Sequence, residues 1–427
     1  MSRLSGAAEA ARAIADGRTT SEAVVAACLT RIAEREETVR AWAFLDPELA
    51  LAQARACDDD AEPAGPLHGV PIGIKDIFDT ADMPTGMGSP IYDGHRPAAD
   101  AAAVAILRQA GAVILGKTAT AEFAGTHPGP TTNPHDPART PGGSSQGSAA
   151  GVADFMVPAA LGTQTGGSVL RPSSYCGIFG FKPSFGTISR AGVKFAAESL
   201  DTVGLLAREL EDIALLSDVL WGREPGGIVP LAAPPRIGVC RTPLWHLAEK
   251  ETAAAIERAA DAAREAGAVV DEVRLPAAFA ALFDARRAIN DYERARAMAH
   301  EWRTDRDRLS PAMRNTVAAG LAVPHADYRA ARARTRDCRH MLDWLFDDWD
   351  ALLVPAVNGE APLGLDHAGD PAFQALWTML HVPAIALPTH RGPNDMPVGI
   401  QLVARRGACD ALLSVAAWVW EACGREG

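Results

Sequence analysis

The chain has 427 residues, 48% of them apolar and 22% charged, and a formal net charge of −12. This is the usage of a folded globular protein large enough for a substantial core, and it excludes a mainly disordered or fibrous one. The acidic balance disfavours any role that depends on long-range attraction to nucleic-acid phosphates or anionic lipid.

In chain order, residues 7–16 read as a helix stopped at Gly17, and a second helix starts near Thr19, where Thr19-Thr20-Ser21-Glu22 has capping-box spacing. Val24, Val25, Cys28, Leu29 and Ile32 give that second helix an apolar face. From Leu67 onward, short apolar runs alternate with helical ones. Strands are predicted at 70–74 (ending at Lys75), 113–115, 157–161, 237–240 and 269–273, and helices at 101–110, 148–155, 208–221 and 249–266. Residues 281–350 are charged, Arg-rich and poor in glycine, and read as two or three inserted helices. Strands at 352–354, 384–387 and 399–403 and a helix at 411–422 close the chain. The alternation predicts an α/β fold with a partly parallel sheet. No fixed-period repeat or low-complexity linker divides the chain, so one domain over 1–427 is expected.

Seven cysteines stand singly with no C-x-x-C pair, the pattern of reduced thiols in a cytoplasmic protein. The eleven histidines have no metal-ligand spacing, so no metal site is expected. The N-terminal residues lack an apolar signal core, and no run of 18 uncharged apolar residues occurs. A cytosolic protein that does not span a membrane is therefore expected. Only five residues are lysines, Lys75, Lys117, Lys182, Lys194 and Lys250.

The chemistry concentrates in two glycine-serine clusters, Pro141-Gly142-Gly143-Ser144-Ser145-Gln146-Gly147-Ser148 and Gly162-Thr163-Gln164-Thr165-Gly166-Gly167-Ser168. The first runs straight into the apolar stretch from Ala149, which argues against a flexible linker. A phosphate-binding P-loop needs Lys after the second glycine, where Ser148 stands. Gly143-Ser144-Ser145-Gln146-Gly147 fits the G-x-S-x-G nucleophile elbow, but the preceding 133–141 segment holds three prolines and no strand. The second cluster follows a predicted buried strand and opens a helical segment. Ser168 is thus the candidate nucleophile, with backbone N–H groups near Thr165, Gly166 and Gly167 available as an oxyanion hole.

The chain resembles the amidase signature family. The resemblance rests on Gly73-Ile74-Lys75-Asp76, Thr140-Pro141-Gly142-Gly143-Ser144-Ser145, Gly166-Gly167-Ser168 with Arg171-Pro172, Gly180-Phe181-Lys182-Pro183-Ser184, Ser199-Leu200-Asp201-Thr202-Val203-Gly204 and Pro397-Val398-Gly399-Ile400-Gln401-Leu402-Val403. It implies a single large mixed sheet covered by helices on both faces, with N-terminal helices in 1–60, a catalytic core in 65–215 and a variable helical region in 281–350. It also implies a Ser-Ser-Lys triad. Ser168 is the nucleophile, Ser144, in a cis peptide, relays the proton, and Lys75 is the base. A lysine can serve as base only if burial lowers its pKa far below 10.4.

The reaction implied is cofactor-independent hydrolysis of a C–N bond in a small amide through an acyl-enzyme. Gln164, the run Val169-Leu170-Arg171-Pro172 and Tyr175-Cys176-Gly177 resemble a malonamidase-like branch acting on small acid amides. Arg171 is accordingly expected either to bind a substrate carboxylate through its planar fork or to serve a structural role, and Gly143 is expected to contact substrate. Gln146 and Gln164 depart from the commoner Gly and Asp, which puts loop flexibility in question and removes a carboxylate near the nucleophile. The A-type chain of glutamyl-tRNA amidotransferase is also a relative, so a glutamine-hydrolysing component of that transferase is the alternative, and a degenerate binding protein is the non-enzyme one. Arg329, Arg332, Arg336 and Arg339 share one helix face, read as a solvated face or subunit contact more than a nucleic-acid surface. A homodimer is expected.

Overall fold

The computed structural model describes residues 6–424. Eleven strands form one mixed sheet. They are β1 (Trp42–Leu45), β2 (Pro71–Lys75), β3 (Val113–Thr118), β4 (Ala159–Gln164), β5 (Phe179–Lys182), β6 (Thr202–Ala207), β7 (Arg236–Val239), β8 (Val269–Glu272), β9 (Ala351–Pro355), β10 (Ala384–Arg391) and β11 (Pro397–Val403). Their order across the sheet is β1-β3-β2-β4-β6-β5-β10-β11-β9-β7-β8. The pairs β2–β3, β2–β4, β7–β8 and β7–β9 are parallel, and the rest are antiparallel.

The central strands are buried along their whole length, as expected for a sheet covered on both sides. Successive side chains then feed two different cores. Ile114, Leu205, Leu353 and Ile385 pack in one core with the helices Ala102–Gln109, Leu210–Leu220, Lys250–Glu265 and Cys409–Ala422. Val113, Leu115, Leu206, Leu352 and Ala384 pack in the other with Ser21–Val39, Pro47–Asp59, Gln146–Ala153, Leu282–Ala297 and Ala372–Met379.

Four local expectations change. The second helix is capped by Thr20, whose hydroxyl accepts from Ala23 N–H, and Asp58 accepts from the N–H groups of Ser21 and Glu22. Glu22 therefore turns outward to Arg55 instead of reaching back as a capping box would. The region 281–350 holds four helices, Leu282–Ala297, Ala299–Thr304, Pro311–Ala322 and His325–Leu345, where two or three were expected. Its basic stripe is partly internal, because Arg332 pairs with the buried Glu293 and Arg339 donates to Met379 O. Finally, β1, β5 and β6 lie in segments without a predicted strand.

Candidate active site

Lys75 is the last residue of β2, and β4 runs beside it in parallel, with Ile74 opposite Leu161. This register brings Thr163 alongside the lysine. Lys75 Nζ donates to Ser144 Oγ at 2.8 Å and to Thr163 Oγ1 at 2.9 Å, and the side chain is fully buried. The next residue, Asp76, ion-pairs with the buried Lys117 at 3.2 Å and accepts from Gly86 N–H, which fixes the strand end.

Ser144 reaches Lys75 because the first glycine-serine cluster is sewn onto the end of β4. Ser145 Oγ accepts from Thr163 N–H and donates to Thr163 O, both at 3.2 Å. Ser148 Oγ donates to Leu161 O and contacts Thr118 Oγ1. The elbow-like Ser145 is thus a fastening, consumed by two backbone bonds. The helix Gln146–Ala153 beneath is built from small buried residues, and a Cβ on Gly147 would lie 2.2 Å from Ala41 O and 2.3 Å from Ala119 N. Gly142 has φ +81°, a left-handed conformation suited to glycine, and a Cβ there would sit 2.9 Å from Pro172 Cα. The Gly143–Ser144 peptide is cis.

The second cluster leaves β4 at Gln164 and is tied to the first where Ser145 N–H donates to Ser168 O at 3.2 Å. Ser168 is 8% exposed, against 1% for Ser144, so of the two serines it is the one nearer solvent. Among the described residues, the N–H groups of Thr165, Gly166, Gly167 and Ser168 donate to no protein acceptor. Gln164 holds the loop in shape, since its Oε1 accepts from Val169 N–H and Leu170 N–H and its Nε2 donates to Thr378 Oγ1. The amide oxygen thereby supplies the acceptor that a carboxylate would. Gln146 is less satisfied, with a buried Nε2 that has no partner.

Arg171 Nη2 donates to Gly143 O at 2.6 Å, linking the two residues expected to meet substrate. The guanidinium is buried, its Nε and Nη1 have no partner, and burial lowers its pKa to about 10.

The electrostatics centre on Lys75. Burial disfavours the ammonium and lowers its pKa from 10.5 to about 7; Asp201 opposes the shift and Arg294 adds to it. Desolvation wins, a net effect of about 5 kcal/mol against the charged form. Asp201 is itself buried and raised by desolvation, offset by bonds from Thr165 Oγ1 at 2.5 Å and from Ala196 and Ala197 N–H. Thr163, Asp201 and Arg294 carried no predicted role. Asp201 lies within the quoted Ser199-Leu200-Asp201-Thr202 run, whereas Arg294 sits on a helix whose sequence bears no motif.

The amidase family profile matches residues 23–413. The chain belongs to the amidase family, the amidase signature hydrolases of C–N bonds. It is 36% identical to the A-type chain of glutamyl-tRNA(Gln) amidotransferase from Chloroflexus aggregans, over 92% of this chain and 91% of that protein. Among solved structures, a protein described as an amidase superposes with TM-score 0.90 at 33% identity, covering 99% of this chain and 100% of that one. Peptide amidase from Stenotrophomonas maltophilia superposes with TM-score 0.84 at 29% identity, covering 97% and 96%.

Proposed function

We propose that the protein hydrolyses a small amide by a Ser168-Ser144-Lys75 relay. Ser168 Oγ attacks the amide carbonyl while its proton passes to Ser144, whose own proton passes to neutral Lys75 Nζ. The N–H groups of residues 165–167 stabilise the developing oxyanion. The protons then return to the leaving nitrogen, the C–N bond breaks, and ammonia or an amine departs from a Ser168 acyl-enzyme. Water enters by the same relay, releases the acid and restores Ser168. Arg171 and Gly143 hold the substrate, and the chain acts as one domain, with a homodimer as the expected assembly.

The observation that carries this reading is Lys75, buried, with a pKa near 7, and 2.8 Å from Ser144 Oγ. An amine in that setting can accept a proton at neutral pH, which an ordinary lysine cannot. The test is amide turnover and labelling by a serine-reactive phosphonate in Ser168→Ala and Lys75→Ala. Intact turnover in either variant contradicts the mechanism.

The full-length similarity to the A-type chains of glutamyl-tRNA(Gln) amidotransferases favours a second reading, glutamine hydrolysis within a multi-subunit transferase. Glutaminase activity that arises only on adding partner proteins of such a transferase supports it. Steady turnover of small amides by the isolated chain supports the first reading.

A further inference from the structure

A cavity of about 600 Å³ opens between the 185–199 segment, the helices Leu282–Ala297 and His325–Leu345, and His381. None of Lys75, Ser144 and Ser168 lines it, and its volume is that of a site for a small organic molecule. Three arginines stand in its walls, each with its guanidinium carbon over a ring: Arg190 over Phe185 and Phe195 at 4.7 and 5.0 Å, Arg296 over Tyr292, and Arg332 over Tyr328 at 5.7 Å. The rings are packed in turn, Tyr292 on Tyr328 at 4.1 Å and Phe185 on His381 at 4.0 Å. A guanidinium held over a ring keeps its N–H edge free to bind.

Two bonds turn Arg190 and Arg296 toward the same opening. Lys194 Nζ donates to Ala297 O at 3.2 Å, and Ser199 N–H donates to Glu293 Oε2 at 2.8 Å, so the 194–199 turn is fastened to the helix on both sides of Arg296. Arg190 is tied to that turn through Glu198 O. Arg332 is neutralised by Glu293 at 3.2 Å, and Glu293 is fully used, since Ser199 and the Tyr328 hydroxyl also donate to it. Arg190 donates only to the carbonyls of Glu198 and Asp201, and Arg296 only to Tyr292 O; among the described residues neither meets a carboxylate within ion-pair distance. Burial, with Arg339 nearby, keeps His381 neutral at pH 7, its pKa lowered to about 3. With Glu198 and Glu293 set against the three arginines, the lining is left with a single uncompensated positive charge.

We propose that this cavity is a second ligand site, taking a carboxylate monoanion with a flat aromatic body, and that its occupant is felt at Ser168 through the 194–201 turn. The single spare charge selects a carboxylate over a phosphate dianion, and the ring-lined walls select an aromatic body over an aliphatic one. The turn leads to the catalytic centre because Ala196 and Ala197 N–H hold Asp201, whose Oδ1 accepts from Thr165 Oγ1 in the nucleophile loop at 2.5 Å. The binding half stands without the amidase reading above, and the effect on Ser168 rests on it.

The probe is cinnamate, with cinnamyl alcohol as its uncharged counterpart, cyclohexanecarboxylate as a non-aromatic monoanion and phenyl phosphate as a dianion. Calorimetry on the full chain is expected to show cinnamate binding at least about tenfold tighter than the other three, equally in wild type and Ser168→Ala, and about 10- to 100-fold weaker in Arg296→Gln. Arg296 is exposed and bonds only within its own helix, so the melting temperature of Arg296→Gln should stay native, and Arg296→Lys should recover part of the loss. Absence of binding, equal binding of the alcohol, or binding that survives both Arg296→Gln and Arg190→Gln overturns the site. Saturating cinnamate is expected to change the rate of phosphonate labelling at Ser168 by at least about twofold in the wild type and to leave it unchanged in Arg296→Gln. Binding with an unaltered labelling rate overturns the link to Ser168. A wild type that is never labelled contradicts the amidase reading, while the calorimetry still decides the site.

Discussion

Lys75 Nζ and Ser144 Oγ stand 2.8 Å apart although 69 residues separate them in the chain. One comes from the end of β2 and the other from the loop stitched to β4, so the parallel β2–β4 pairing sets this distance. The pH dependence of the reaction follows from it. With a Lys75 pKa of about 7, the amine is protonated below that pH and free to accept above it. Activity should therefore rise with pH through about 7, and Lys75→Ala should lower kcat/KM by about 10²- to 10⁴-fold. A pH–rate profile flat between pH 6 and 8 would count against Lys75 as the base.

Asp201 should tune that limb. Its carboxylate favours the Lys75 ammonium, so removing the charge lowers the lysine pKa further. Asp201→Asn is expected to move the acidic limb of kcat/KM to lower pH, as read from the same profile. A shift to higher pH would contradict the assignment.

Lys182 gives a stability signature separate from catalysis. It is fully buried, donates to Pro183 O and Val382 O, and burial lowers its pKa to about 7, as for Lys75. Above pH 7 the folded protein holds fewer protons on these lysines than the unfolded chain, whose lysines titrate near 10.4, so stability should rise with pH. Each contributes a slope of about 1.4 kcal/mol per pH unit once its folded form is neutral. Unfolded thiols, with a pKa of about 8.5, oppose this rise, so the check is the difference in urea-derived stability between wild type and Lys182→Met, in which the thiols cancel: the wild type should gain on the variant as pH rises from 7 to about 8.5.

Gln164 should resist replacement by its acidic isostere. In Gln164→Glu one carboxylate oxygen would still accept from Val169 and Leu170, but the other would face Thr378 Oγ1, whose proton is already given to Gly166 O at 2.8 Å. The substitution is expected to cost about 1–3 kcal/mol, measured by denaturant unfolding.

Ser145 should be separable from Ser168. Ser145→Ala removes two buried bonds to Thr163 and should cost about 1–3 kcal/mol in unfolding free energy while retaining phosphonate labelling. Ser168→Ala should abolish the labelling, and loss in Ser145→Ala with a native fold would reverse the roles.

Much of this site can be read from the sequence because its parts are local. Lys75 ends an apolar run, and Ser144 and Ser168 stand in glycine-rich turns beside buried strands. Where the local pattern is weak, strands go unpredicted: β5 and β6 carry glycines that blur strand periodicity, and the four-residue β1 is too short to signal itself. Thr163, Asp201 and Arg294 act on Lys75 only through contacts made after the sheet assembles. Gln164 is legible as a departure, but its double cap on Val169 and Leu170 is visible only once the loop has turned.

The crowding around Gly147 has a consequence for how such a catalyst can diversify. With Ala41 O and Ala119 N closer than any added carbon allows, the floor under the serines admits no enlargement. The roof is made of the 368–371 segment and the helix Leu282–Ala297, which border the nucleophile loop through Pro371 and Arg286 without entering the sheet. New substrate ranges are therefore most readily engineered from above, by grafting roofs onto an unaltered floor.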